Sequence, residues 1–116
     1  MPDCIFCQIV AGEKSCYKIF ENNLYLAFLD INPKVTGHTL IIPKLHYLYI
    51  WDLPNPGELL NIAQILVRRY KPILKTDLFF TSTWGRIVPH AHLHLLPQNV
   101  TLSLSLSEAQ RLLSTT

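Results

Sequence analysis

The run Pro89-His90-Ala91-His92-Leu93-His94-Leu95-Leu96-Pro97 limits the fold of this chain more than any other feature. Side chains alternate faces along a β-strand. On a strand, His90, His92 and His94 therefore share one face while Ala91, Leu93 and Leu95 take the other. The second face is wholly apolar and has to pack on a core. The first carries three imidazoles about 6.8 Å apart, an expensive way to fill an interior. A face of that kind is solvated, liganded or catalytic. Two chemistries use it. A His-x-His pair on a strand can present two nitrogens to a Zn²⁺ ion. A neutral imidazole can also attack phosphorus or carbon and form a covalent intermediate. Spacing alone leaves both open.

Around this run the chain reads as short elements. Strands are expected at Tyr17–Phe20, Leu24–Leu29, His38–Ile42, Leu78–Ser82 and Ile87–Leu96. Asn32-Pro33 and Pro43 end the second and third of these. One long helix is expected over 56–74, with Asn55 as N-cap, Pro56 at the first position and Glu58 at the third. Its apolar stripe is Leu59, Ile62, Ala63, Leu66, Tyr70 and Ile73, widened by Leu60, Val67 and Leu74. A stripe that wide can serve a core and a partner subunit together. Pro72 should end or kink the last turn. Ser107-Glu108-Ala109-Gln110 reads as a capping box opening a short terminal helix. Three strands before the helix and two after it, joined by tight turns, favour an α+β class: an antiparallel sheet with helices on one side.

The remaining composition mostly excludes. The 116 residues, 49% hydrophobic and 16% charged, suit one globular domain spanning 1–116. A formal charge of +2 with scattered cations argues against nucleic-acid binding. No apolar stretch approaches the ~20 residues that span a bilayer, and no targeting segment is visible. Three cysteines, an odd number, fit a reducing compartment, so a cytoplasmic location without membrane contact is expected.

Four blocks together resemble the histidine triad (HIT) family of nucleotide hydrolases and transferases. His90-Ala91-His92-Leu93-His94-Leu95-Leu96 matches the family's His-φ-His-φ-His-φ-φ signature, with φ apolar. Cys4 to Glu13 is similar to the family's opening. Leu26-Ala27-Phe28-Leu29-Asp30-Ile31-Asn32-Pro33 is similar to its second strand and turn. Gly37-His38-Thr39-Leu40-Ile41-Ile42-Pro43-Lys44-Leu45-His46 is similar to its third strand. The likeness covers roughly residues 4–97.

The resemblance implies a five-stranded antiparallel sheet with one long helix and short terminal helices, in a homodimer whose sheets join. It implies a nucleotide substrate, such as a nucleoside phosphoramidate or dinucleoside polyphosphate, and no organic cofactor. His92 would attack the α-phosphorus and become nucleotidylated. His94 would hold a phosphate oxygen, His90 would fix the middle ring, and His38 would stand beside the triad. Asp30 would accept the ribose hydroxyls, while Phe6, Ile9 and Ile31 would line the base. In branches that open with Cys-x-x-Cys, a structural Zn²⁺ is held by the two thiolates and two histidines, here Cys4, Cys7, His46 and His90.

The chain departs from the family just before the triad. Gly85-Arg86-Ile87-Val88-Pro89 stands where many members carry a Gly-Gln-Ser-like segment, and the loop at Thr81-Ser82-Thr83-Trp84 is short and lacks the family's asparagine. Arg86 could supply a cation to the phosphate. Two rivals to the hydrolase are therefore carried forward. One is a nucleotide-binding or scaffolding dimer with little turnover. The other is a zinc enzyme using His90, His92 and His94 as direct ligands.

Overall fold

Both faces of the sheet are covered, and the strand sequences reflect it. In Leu24-Tyr25-Leu26-Ala27-Phe28-Leu29 no polar residue alternates with the apolar ones, as expected for a strand buried on two sides. The computed structural model describes residues 3–83 and 87–114. Its elements are α1 (Ile5–Val10), β1 (Lys18–Glu21), β2 (Tyr25–Leu29), β3 (Thr39–Pro43), a 3-10 turn (Ile50–Asp52), α2 (Gly57–Leu74), β4 (Phe79–Ser82), β5 (Leu93–Pro97) and α3 (Leu106–Leu113). The strands form one antiparallel sheet in the order β1-β2-β3-β5-β4. The α+β architecture is the expected one.

Strand alternation divides the interior into two cores. Tyr25, Ala27, Leu29, Ile41, Leu93 and Leu95 face α2 and α3 and pack with Leu59, Ile62, Leu66, Tyr70, Leu74, Ala109 and Leu113. Leu26, Phe28, Leu40 and Ile42 face the other way and are capped by Cys4 and Phe6, from the start of the chain. The long and the terminal helix thus lie on one face, as anticipated. The six-residue α1, a short terminal helix of the kind the resemblance implies, covers the opposite face, where residue patterns alone place no element. It is too short for a helical period to register, and it starts on Cys4, whose sulfur accepts the Cys7 amide at 3.3 Å.

Several boundaries differ from expectation. The Asn55 side chain does not cap α2; the Glu58 amide instead meets the Asn55 backbone carbonyl at 3.2 Å. Pro72 neither ends nor breaks the helix, which runs on to Leu74 and stops at Lys75 in the left-handed region (φ 56°). The Pro72 ring faces solvent, so only one rung is lost near an end that already frays. The capping box of α3 is Ser105 with Glu108, at 3.1 and 2.9 Å, two residues before the Ser107 start expected. The last strand begins at Leu93 and not at Ile87. The registered pairs end at Ser82 with His94 on the β4 side and at Ile41 with Leu93 on the β3 side. Ala91 and Leu93 still enter the α2-side core, so the predicted alternation continues past the point where strand pairing stops.

Candidate active site and metal centre

All five histidines gather on the sheet face opposite α2, in two groups. In the first, His90 precedes β5 and His46 follows β3, and both meet the start of α1. His90 Nδ1 lies 3.3 Å from Cys4 Sγ and 3.4 Å from Cys7 Sγ, and His46 Nδ1 lies 3.2 Å from Cys7 Sγ. The four ligand atoms are all within 4.8 Å of one another. Tetrahedral zinc with thiolate and imidazole ligands requires spacings of roughly 3.3–3.8 Å between ligand atoms. The other nitrogen of His90 donates to the Pro43 carbonyl at 2.8 Å. That bond leaves the Nδ1 lone pair facing the sulfurs, the outer-shell arrangement metal-bound histidines use. The donor set therefore fits a closed structural Zn²⁺ on Cys4, Cys7, His46 and His90. Burial pushes the Cys7 thiol up and the His90 imidazolium down, so both favour their neutral forms and metal binding has to displace the Cys7 proton.

The second group is His38, His92 and His94. The His92 Nδ1–H donates to the carbonyl of His90 at 2.7 Å, which leaves Nε2 as a free lone pair. His92 is 6% exposed, with Phe6 edge-on to its ring at 5.4 Å. The Lys34 amide donates to His38 Nδ1 at 3.2 Å. His38 must then carry its proton on Nε2, 2.9 Å from His94 Nδ1. His94 in turn holds its proton on Nε2, pointing out of the chain as a donor. Burial lowers the pKa of His38, and burial with the His92 and His38 rings nearby lowers His94 to about 4. Both are neutral at pH 7.

Asp30 joins this group loosely. One carboxylate oxygen accepts the Asn32 amide at 2.9 Å and caps the turn; the other lies 3.6 Å from His38 Nε2. Asp30, His38 and His94 are close enough to hold an ion. Their hydrogen bonds argue otherwise, because neither His38 nitrogen nor His94 Nδ1 keeps a free lone pair. The triad itself does not converge on one metal either. His90, His92 and His94 turn to thiols, a carbonyl and a histidine respectively, which removes the reading in which all three bind a catalytic zinc.

Of the expected base-lining residues, Phe6 is buried against His90, His92 and Phe28, with ring centroids 5.4–5.8 Å apart. Ile9 is half-buried beside the same core, and Ile31 is 64% exposed. Arg86, Trp84 and Gly85 lie outside the described residues. Ile87 is 90% exposed and contributes nothing to the site. Sequence reasoning missed Phe28, although its period-two position opposite Ala27 and Leu29 would have placed it on the site face. It also missed the Lys34 amide, the Pro43 and Tyr47 carbonyls and the Thr83 hydroxyl, none of which leaves a trace in residue patterns.

Residues 11–101 match the HIT domain family. The chain belongs to the histidine triad family. Among solved structures this HIT chain is similar to a zinc-bound histidine triad family protein from Mycobacterium smegmatis, at 31% identity and a TM-score of 0.86, covering 97% of this chain and 91% of that one. Among characterised relatives it is 34% identical to an adenylylsulfatase of Arabidopsis thaliana, covering 94% of this chain and 59% of the relative. It is 38% identical to an adenosine 5'-monophosphoramidase of Saccharomyces cerevisiae, covering 82% of this chain and 62% of the relative. The chain thus spans about three fifths of the length of these two relatives.

Proposed function

We propose that this HIT chain is a nucleotide hydrolase that cleaves the α-phosphate bond of a nucleoside phosphoramidate or dinucleoside polyphosphate. The observation that carries the reading is the His92 Nδ1–H bond to the His90 carbonyl, which fixes the tautomer a nucleophile needs. The Nε2 lone pair attacks the α-phosphorus, and the bond to the leaving group breaks with its electron pair, an amine taking a proton from solvent as it departs and a phosphate leaving as the anion. Water then cleaves the phosphorus–Nε2 bond and restores the imidazole. The His94 Nε2–H donates to a non-bridging oxygen, and His38 holds His94 in the donor tautomer. His90 supplies the carbonyl that aims His92. Asp30 offers an oxygen to the ribose hydroxyls, Phe6, Ile9 and Ile31 form an apolar wall for the base, and Arg86 brings a cation from the preceding loop. The nucleoside phosphoramidase and adenylylsulfatase names of the relatives support a nucleotide substrate.

Cys4, Cys7, His46 and His90 would hold a structural Zn²⁺, tying the start of the chain to the sheet. The three free thiols suit a reducing compartment such as the cytoplasm. No helix among the described residues is long and apolar enough to cross a membrane.

His92→Ala should lower turnover on the order of a thousandfold or more while nucleotide binding and the melting temperature hold. Intact-mass analysis should show a nucleotidyl adduct on the parent and none on the variant. Near-normal turnover by His92→Ala would sink the mechanism. A parent that binds nucleotide but never turns over would point to the scaffolding alternative.

The chain is further proposed to act as one domain that pairs with a second copy. Leu60 and Ile65 on α2 and Phe80 on the edge strand β4 are exposed and apolar. Joining two sheets there would cover them. Light scattering should report about twice the 13.3 kDa chain mass at micromolar concentration; a monomer there would rule the pairing out.

A further inference from the structure

We propose that Thr83 is a positioning residue for His92, its hydroxyl fixing the peptide that follows the nucleophile. The inference rests on His92 as the reacting group for its kinetic consequence, though not for its structural one. Strand pairing between β4 and β5 stops at Ser82 and His94. Beyond that point the backbone of 90–92 is held by individual bonds. The His90 amide donates to Val88 at 2.8 Å and the Ala91 amide to Tyr47 at 2.6 Å. The His90 carbonyl accepts the His92 ring, and the His92 carbonyl accepts the Thr83 hydroxyl at 2.7 Å.

Two of these bonds belong to His92 itself. The ring bond sets the tautomer. It can hold the ring no more firmly than the peptide planes on either side are held, because the ring swings with its own Cα–Cβ bond. The Thr83 bond holds the carbonyl of the plane after His92, whose other end, Leu93, is registered with Ile41 of β3. A side chain does here what a ladder hydrogen bond does two residues further on. The hydroxyl comes from the short loop that lacks the family's asparagine, just past the end of β4. Thr83 is half-buried, so the carbonyl it satisfies would otherwise lose its partner in a place water reaches poorly.

The test compares Thr83→Val, which removes the donor at constant shape, with Thr83→Ser, which keeps it. All proteins are zinc-loaded and assayed with adenosine 5'-phosphoramidate. T83V should slow single-turnover nucleotidylation by about three- to tenfold, with nucleotide Kd unchanged, and T83S should restore the rate to within roughly twofold. Long-range ¹H–¹⁵N correlations of the imidazoles should show one Nδ1–H tautomer for His92 in the parent and T83S, and tautomer averaging in T83V. If T83V does not fold, Thr83→Ala, which adds no buried methyl, carries the same comparison. The proposal is overturned if the donor-less variant matches the parent in rate and tautomer, or if T83S is as impaired as T83V. Should His92→Ala turn over normally, the nucleophile reading fails, and the tautomer comparison still decides whether Thr83 holds the ring.

Discussion

The metal-side and phosphate-side histidines stand in one row yet differ in what their second nitrogen does. His90 gives its Nε2–H to the Pro43 carbonyl and turns the Nδ1 lone pair to the thiols. His92 does the reverse, giving Nδ1–H to a carbonyl and keeping Nε2 free. His94 accepts a hydrogen bond from His38 at Nδ1 and keeps an Nε2–H to donate. Three copies of one side chain therefore present an Nδ1 lone pair, an Nε2 lone pair and an Nε2–H. Backbone amides and carbonyls make the distinction, relayed to His94 through His38, and among the described residues the carboxylate contact is that of Asp30 to His38 at 3.6 Å. The two groups are also physically adjacent, since His90, a member of the candidate metal set, supplies the carbonyl that accepts the His92 ring. The comparison can be broken from either side.

The larger effect should come from the metal side. Replacing Cys4 and Cys7 by Ser removes two of four ligands and frees α1 from the sheet. Metal that binds only the folded chain contributes about 3–4 kcal/mol at a hundred- to thousandfold excess over Kd. For a domain of this size that corresponds to a melting temperature lower by roughly 10 °C or more. The double variant should lose zinc by elemental analysis, and a chelator should reproduce the shift in the parent. Turnover per folded molecule should stay within about tenfold, because the His90 carbonyl remains in place for His92. A full loss of turnover in a protein that still melts cooperatively would show that the two groups are one unit. No zinc in protein purified without chelator would remove the metal side altogether.

How much of this was legible depends on the scale of the signal. Period-two alternation in 89–97 put Ala91, Leu93 and Leu95 in the core and the histidines opposite, and both hold. The 3.6-residue period of α2 named Leu59, Ile62, Ala63, Leu66, Tyr70 and Ile73, all buried but the half-buried Ile73; of the residues widening the stripe, Leu74 is buried, Val67 half-buried and Leu60 exposed. Element ends were less legible, because they follow from which neighbour is present. The last strand starts at Leu93 because its registered pairs with β3 and β4 end at Leu93 and His94, a tertiary fact. Metal-ligand spacing made Cys4 and Cys7 visible as a pair. Their meeting with His46 and His90 depends on the packing of α1 across the sheet, which only the family resemblance anticipated. The tautomers were not legible at all beyond the expectation that some carbonyl would hold His92, since they are fixed by backbone groups that every residue carries.

The smaller effect belongs to the phosphate side and is a pH dependence. His94 titrates at about 4 in the folded chain against 6.5 as the ordinary value, chiefly because it is buried. A ring with a lowered folded pKa takes its proton more readily in the unfolded chain, so protonation favours unfolding. Above about pH 6.5 the ring is neutral in both states and the contribution to stability is complete. As pH falls from 6.5 toward 4 that contribution is progressively lost, on the order of 1–2 kcal/mol once the partial solvent contact of the ring is allowed for. His38, lowered in the same direction, adds to the slope. Zinc ligands also take up protons in this range, so the parent curve alone mixes the two sides. The informative quantity is the difference between parent and His94→Gln in urea unfolding, measured in the Cys4→Ser, Cys7→Ser background at pH 7 and at pH 5. Gln carries no titrating proton, so the gap between the two proteins should narrow on acidification. A gap that stays constant would mean that His94 is not held neutral by its surroundings, and the donor role assigned to its Nε2–H would lose its electrostatic basis.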